Sequence, residues 1–578
     1  MTARADKMMG MAKSGTLTAG GALLARLKAL GVDYIFANSG TDFPPIIEGL
    51  AEAAAKDIAL PEALVMPHEG AAMGMAHGYY LATGKSQVVM AHTNVGLANC
   101  AIGAINAAVE HIPIMLFSGR TPVTEKDRFG ARTVPIGWGQ EMRDQAALVR
   151  EACKWDYEMR FPEQALDIAD RAYAIANSTP RGPVYVSLPR EVLCEPAPSA
   201  GLSAPLSMQP AVAAPGEAQI REAAAILSRA RNPVIFAQHG AGSPEAFRAL
   251  GELAEDWGIP VCQYWALQLA LPTDHPMAAE NNPAPLIEAA DAILVIDALA
   301  PWAPDTHRPS DGCTIIQMSQ DPLAARTPVR NFRSDLSIVC EPAQGIPALA
   351  RAMQELAVGR DQELTERRVS VAARNAESRR KIRAAAEAGR DGVMSKDWVS
   401  LCVSRAIEGR DAAVLSELGC PMAPMSLSEH GSWFQEPHAG GLGWSFPAAL
   451  GMQLADRKRL VVATMGDGSY MFSNPVACHQ IAEALGLPVL VVILNNSEWG
   501  AVRQSVLGIY PDGYAARTNV MPLTALSPTP EFTKVAEASR AWARKVSLGT
   551  DLPAALEAAL EHIRTKGTLA LLDVTVRP

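Results

Sequence analysis

Short runs of branched aliphatic residues, each closed by a turn rich in small or polar residues and joined to a segment of helical periodicity, recur along this chain. Residues 489–494, VLVVIL, are the strongest case. An apolar run of strand length with no polar alternation needs cover on both faces, and a parallel sheet wrapped by helices provides it. Similar runs return at 33–37, 88–90, 113–117 and 184–188, at 234–237, 292–296 and 314–318, and at 413–415, 460–464 and 569–576. The expected fold class is α/β, built as consecutive domains that are each a mainly parallel sheet flanked by helices. The first helix is signed at both ends. Thr18 is its N-cap, Leu23, Leu24, Leu27 and Leu30 share one face, and Gly31 is its stop.

At 578 residues the chain exceeds what one hydrophobic core organises. Three domains are expected, at 1–192, 216–355 and 395–578. Residues 193–215, rich in Pro, Ala and Ser, form a linker, and the charged stretch 356–394 forms a solvated connecting helix. A net charge of −10 without long single-sign runs argues against nucleic acid and for a small-molecule partner. The opening residues lack the apolar core of a secretory leader, and no run reaches the roughly 20 apolar residues of a membrane span. No membrane contact and a cytoplasmic location are therefore expected. The nine cysteines are scattered without a Cys-x-x-Cys pair and read as reduced, mostly buried thiols.

The segment VVATMGDGSYMFSNP, followed by VLVVILNNSEWGAVRQ, carries the sharpest chemistry. A strand ending at Met465 delivers Gly466, Asp467, Gly468 and Ser469 to the carboxyl edge of a sheet, where glycines let the backbone approach a phosphate. A lone carboxylate would repel that anion, so a divalent cation between them is the natural resolution. Mg²⁺ takes carboxylate, amide and phosphate oxygens, and Asn496 with the main-chain carbonyl of Glu498 would complete its shell. By itself Gly-Asp-Gly is only a turn. Two strand-ending loops with complementary oxygens change that reading.

On these motifs the sequence resembles the thiamine-diphosphate-dependent decarboxylase and acetolactate synthase superfamily, over essentially the whole chain. The resemblance implies thiamine diphosphate and Mg²⁺ as cofactors and two cofactor domains around a central one. Asp467, Asn496 and Glu498 would hold the metal, while Gly466, Gly468 and Ser469 lie against the diphosphate. The stretch between the two motifs is longer than the family's, and Ser473-Asn474-Pro475 reads as a modified helix start. In HAGGLGWSFPAALGMQLA, Gly440, Gly441 and Leu442 match the segment with which benzoylformate decarboxylase-like members fold the two cofactor rings face to face. Ser416 and Glu417 match a further contact at the diphosphate end.

Glu69 stands among small and apolar residues, where an ionised carboxylate is poorly solvated and suited to shuttling a proton. Read alone, it is a helix-start charge. The resemblance makes it the glutamate that protonates the cofactor's pyrimidine so that the ylid can form. His92 falls at a strand terminus and Asn99 in the following glycine-bearing segment. A lone histidine is most often structural. Benzoylformate decarboxylases nevertheless have a histidine at the matching place, and it handles protons on the substrate-derived intermediate. Thr41 falls where those enzymes have a serine beside the substrate carboxylate, and Trp499, Val502 and Ser505, at helical spacing, are expected to line the substrate cavity. His307 is the nearest candidate for a second active-site histidine. The turn Gly240-Ala241-Gly242 is too weak to support FAD and leaves flavin open.

These residues imply non-oxidative decarboxylation of a 2-oxoacid through ylid and enamine intermediates, in the manner of benzoylformate decarboxylase. Acetolactate synthase-like or benzaldehyde lyase-like carboligation onto an aldehyde is the alternative. A non-catalytic cofactor-binding homologue is a third reading, against which Glu69, Asp467 and Asn496 are all present. The resemblance further implies a homodimer or homotetramer with active sites at subunit interfaces.

Overall fold

The computed structural model describes residues 16–577, apart from Ser199, Ser203 and Val358. The leader reading of the opening segment lies, up to residue 15, outside the described residues, as do those three positions in the two linkers. Three parallel sheets carry the described chain. The first runs Glu62–Val65, Tyr34–Ala37, Val88–Ala91, Met115–Arg120, Val184–Pro189, Asp156–Glu158. The last runs Trp433–Gln435, Ala412–Glu417, Leu460–Gly466, Leu490–Asn495, Ala570–Thr575, Trp542–Val546. Ranked by chain order within each sheet, both read second, first, third, fourth, sixth, fifth. The two sheets are therefore wound alike. The central sheet has five strands, in the order Val261–Cys262, Pro233–Ala237, Ala292–Ile296, Thr314–Ser319, Leu336–Val339.

Every interior strand of these sheets lies on an apolar run predicted above, whereas the strands at the six edges were not predicted. The physical reason is partial burial or brevity. Glu62–Val65 buries only Leu64, Asp156–Glu158 is half-buried throughout, and Val261–Cys262 is two residues long. None of these has an apolar signature of its own.

One compact unit takes the described residues up to Ala211 together with Pro437–Ala455. Its first helix, Ala19–Ala29, is capped as the sequence requires: Thr18 Oγ1 accepts the Gly21 N–H at 3.1 Å, and Gly31 follows with φ of +88°. Leu23, Leu24 and Leu27 are fully buried against Ile35, Phe117 and Val184. Within the same unit, helix Glu69–Thr83 meets helix Ser445–Ala455 at backbone distance. A Cβ at Gly78 would lie 1.8 Å from the Ala448 carbonyl oxygen, and one at Gly451 would lie 2.0 Å from that of Met75. Only glycine permits that approach.

The other unit takes Val212–Glu436 and the chain from Asp456 onward. The charged stretch forms helix Asp361–Ala388, in which Glu363 pairs with Arg360 and Arg367, and Glu377 with Arg380 and Lys381. Leu364 and Val371 turn inward. All nine cysteines are free thiols and eight are buried. Among the described residues, no helix is long and apolar enough to cross a membrane.

Candidate active site

In a sheet wound in this order, the chain leaves the first strand to one side and returns on the other with the third. The carboxyl ends of those two strands then border a crevice, the usual place for a ligand in an open α/β sheet. In the first unit these strands are Tyr34–Ala37 and Val88–Ala91, followed by Thr41 and His92. In the second unit's last sheet they are Ala412–Glu417 and Leu460–Gly466, which supply Ser416, Glu417 and the turn from Gly466 to Ser469. Strand Leu490–Asn495 lies beside them, with Gly466 in register with Leu494, and brings up Asn496 and Glu498. The predicted residues thus collect at two matching places, one in each unit.

In the first unit, Glu69 opens helix Glu69–Thr83 and is buried, and His68 caps that helix by accepting the Gly70 N–H at 3.0 Å. Glu69 Oε2 accepts from the Asn99 amide at 2.9 Å. Asn99 sits on helix Thr93–Val109, whose Gly96, Asn99, Gly103 and Asn106 repeat at three- and four-residue spacing along one face. A Cβ at Gly96 would lie 2.7 Å from Glu69 Oε1, and one at Gly103 2.4 Å from the Met73 side chain. Asn106, which the sequence reading missed, grips the Gly-Gly-Leu-Gly turn: its amide donates to the Gly441 carbonyl at 2.8 Å, and its carbonyl oxygen accepts the Gly441 N–H at 3.2 Å. Gly440 and Gly443 have φ of +69° and +88°, and Leu442 is held half-buried between them.

His92 immediately precedes the same helix. Its Nδ1 pairs with the buried carboxylate of Asp42, which the sequence reading also missed, and its Nε2 meets the Gln140 amide nitrogen at 3.0 Å. The hydrogen bond to Asp42 raises the pKa of His92, against the opposing effect of burial. Thr41 is exposed, its carbonyl accepts from Arg190 at 3.0 Å, and it borders a cleft with Asp42, Thr93, Arg132 and Gln140.

In the second unit, Asp467 and Ser469 are buried in the first turn of helix Asp467–Phe472. Desolvation pushes the Asp467 carboxyl up to about 6, against the lowering effect of the main-chain N–H groups of Asp467, Gly468 and Ser497. Asp467 Oδ2 and Ser469 Oγ have no hydrogen-bond partner. Asn496 Oδ1 accepts the Glu498 N–H at 3.1 Å, and the Glu498 carbonyl accepts from Gly500 at 2.9 Å. Lys396, a cation the motifs did not mark, donates to the Leu418 carbonyl at 3.2 Å at this edge and is coupled electrostatically to Asp467. Ser416 is turned inward, its hydroxyl donating to the Cys420 carbonyl at 2.8 Å, and Glu417 is fully buried. The Trp499 ring covers Gly468, where a Cβ would lie 2.3 Å from its Cζ3, while Val502 and Ser505 face outward. The break at Ser473-Asn474 is observed: Asn474 has φ of +53° and Pro475 begins a new helix. His307 Nδ1 accepts the Ala303 N–H at 3.2 Å and so closes its own turn.

Three sequence profiles match the chain along its length: thiamine pyrophosphate enzyme, N-terminal TPP binding domain, over 17–148; central domain, over 220–349; and C-terminal TPP binding domain, over 418–574. The chain belongs to the thiamine pyrophosphate enzyme family. Within this family it is 28% identical over 499 residues to benzoylformate decarboxylase of Pseudomonas aeruginosa, covering 82% of this chain and 85% of that one. It is 27% identical over 552 residues to the acetolactate synthase isozyme 3 large subunit of Escherichia coli, covering 89% and 88%. The fold superposes with a TM-score of 0.76 at 24% identity on the thiamine diphosphate-dependent 4-hydroxybenzoylformate decarboxylase of Rhodococcus jostii RHA1, covering 97% and 99%.

The residues present fit the family's cofactor. An unpartnered carboxylate oxygen and an unpartnered hydroxyl, buried in one glycine-bearing turn beside Lys396, are what a metal-bridged diphosphate satisfies. Among the described residues no three His, Cys, Asp or Glu side chains cluster as a metal site. The ligand set considered for Mg²⁺ is of another kind, with one carboxylate, one amide and one main-chain carbonyl.

Proposed function

We propose that this enzyme decarboxylates a 2-oxoacid without oxidation, releasing CO₂ and an aldehyde. His92 carries the reading: it is an imidazole at the first unit's sheet crevice, one helical turn before the Gly96 that packs on Glu69, with acidic groups holding it ready to take a proton. Thiamine diphosphate, when bound, supplies the carbon that adds to the 2-oxo group and accepts the electron pair left by CO₂. Glu69, oriented by Asn99, would hold a proton at Oε1 or Oε2 for the pyrimidine. His92 Nε2 would return a proton to the carbon that has lost CO₂, and Thr41 would face the substrate carboxylate. Leu442 would wedge the rings, with Gly440 and Gly441 shaping its turn. Asp467, Asn496 and the Glu498 carbonyl would hold Mg²⁺, with Gly466, Gly468, Ser469, Ser416 and Glu417 around the diphosphate. Trp499, Val502 and Ser505 would border the substrate once the assembly is complete.

We further propose a homodimer or homotetramer in the cytoplasm, with each complete centre drawing Glu69 and Asp467 from different subunits. Domains 1–192, 216–355 and 395–578, joined by linkers 193–215 and 356–394, are the proposed organisation. Carboligation is the second reading, supported by the likeness to an acetolactate synthase over most of the chain. Product analysis separates the two. With single 2-oxoacids, a decarboxylase yields one aldehyde per CO₂, and a carboligase yields 2-hydroxyketones or 2-hydroxy-3-oxoacids instead.

A further inference from the structure

Asp42 grips two consecutive residues. One carboxylate oxygen pairs with His92 Nδ1, and Oδ2 accepts the Thr93 N–H at 3.3 Å. Thr93 has φ of +41°, a left-handed conformation that a β-branched residue adopts only where its surroundings hold it there. Asp42 is 3% exposed, and two glycines make room for the pair. A Cβ at Gly119 would lie 1.5 Å from Asp42 Oδ2, and one at Gly40 would lie 2.1 Å from His92 Nδ1. The strands behind the two residues are neighbours in register, Ala37 opposite Met90, so the sheet itself brings Asp42 to His92.

From this arrangement we propose that Asp42 is a positioning residue: it fixes the His92 ring with Nδ1–H turned to the carboxylate, leaving Nε2 as the atom that exchanges a proton, and it stabilises the doubly protonated ring. The inference rests on His92 acting as the proton donor to the substrate. The transfer balances: Nε2 gives up one proton, the neutral ring keeps Nδ1–H on Asp42, and solvent restores the proton between turnovers. Asp42 and Glu69 both favour the charged ring. Arg132 and Arg190 share the adjoining cleft, but Arg132 is paired with Glu141, and Arg190 donates to the carbonyls of Thr41, Gly130 and Ala131. Gln140 is the polar neighbour of Nε2. An aspartate that merely folded its loop would have no reason to control the ring's proton.

The test is ¹⁵N NMR of histidine-labelled protein, wild type and Asp42→Asn, with the His92 signals assigned through His92→Gln. Wild-type His92 should titrate above the ordinary histidine value of about 6.5 and, when neutral, carry its proton on Nδ1. In Asp42→Asn its proton affinity should fall about tenfold or more, and kcat for decarboxylation should fall by about 10- to 100-fold with a smaller change in KM. The limb of the pH–rate profile set by His92 should move with the titration. A wild-type His92 that titrates at or below the ordinary value, or that carries its neutral proton on Nε2, overturns the inference without any variant having to fold. So does an Asp42→Asn protein whose His92 titrates unchanged. If the titration behaves as stated but His92→Gln decarboxylates at the wild-type rate, Asp42 still positions His92 and the catalytic reading of His92 is what fails.

Discussion

Asn99 donates to Glu69 Oε2 at 2.9 Å, and Gly96, one turn earlier on the same helix, leaves the space that Glu69 Oε1 fills. The carboxylate is thus located from two sides by one helix. A methyl group at position 96 would collide with the end of a flexible side chain, Glu69 Oε1 at 2.7 Å, and would otherwise press only lightly on the Ala91 methyl at 3.3 Å. Gly96→Ala should therefore fold with nearly the wild-type melting temperature while displacing Glu69. Activity with saturating cofactor should fall on the order of 10²-fold, the scale of a lost general acid or base. Paired steady-state kinetics and thermal unfolding check it, and an unimpaired Gly96→Ala enzyme would separate Glu69 from catalysis.

Gly78→Ala should do the reverse. Its Cβ would lie 1.8 Å from the Ala448 carbonyl oxygen, a backbone atom that cannot swing away. Helices Glu69–Thr83 and Ser445–Ala455 must then separate, at a cost of about 1–3 kcal/mol, as for overpacked cores. The expected result is a lower melting temperature by circular dichroism, with cofactor turnover falling only as the fold loosens.

These glycines mark where sequence reading stops. The interior strands could be read because each carries an apolar run buried on both faces, as Leu490–Asn495 does up to Leu494. The edge strands could not, since Glu62–Val65 and Asp156–Glu158 owe their pairing to a neighbour rather than to their own residues. Glu69, Asp467 and Asn496 stood out only together, through the combination of motifs that carries the family resemblance, since read singly they are a helix-start charge, a turn residue and a loop amide. Asp42 and Asn106 did not, because their partners lie 50 and 335 positions away, His92 and Gly441 respectively. Asn106 left one trace, seven residues after Asn99 on the same helical face. Asp42 left only its place next to Gly40 and Thr41.

Asp467→Ala should lose retention of thiamine diphosphate. The wild-type carboxylate has an unpartnered buried oxygen that a cation would satisfy, and without it the diphosphate would lack the proposed metal contact. Calorimetric titration with thiamine diphosphate should show Mg²⁺-dependent binding for the wild type, abolished by a chelator. For Asp467→Ala, binding should be weak with or without Mg²⁺. Equal affinity in all four conditions contradicts the metal assignment.

If a complete centre draws on two subunits, two dead variants should rescue each other. Glu69→Gln and Asp467→Ala proteins, each inactive alone, should regain up to about a quarter of wild-type activity when mixed under subunit exchange, since about half of statistical dimers are mixed and each mixed dimer has one of its two sites intact. Ultracentrifugation of the mixture should show dimers or tetramers. No recovery despite demonstrated exchange would place Glu69 and Asp467 of one centre in the same chain.

The central claim is tested most directly by CO₂ release from a panel of aromatic, aliphatic and charged 2-oxoacids, with wild-type and Glu69→Gln protein, with and without thiamine diphosphate and Mg²⁺. The account predicts at least one acid from which the wild type releases CO₂ only with the cofactors, and a rate lower by about 10² to 10⁴ for Glu69→Gln. Wild-type release that is independent of thiamine diphosphate, or a Glu69→Gln enzyme as fast as the wild type, would contradict it.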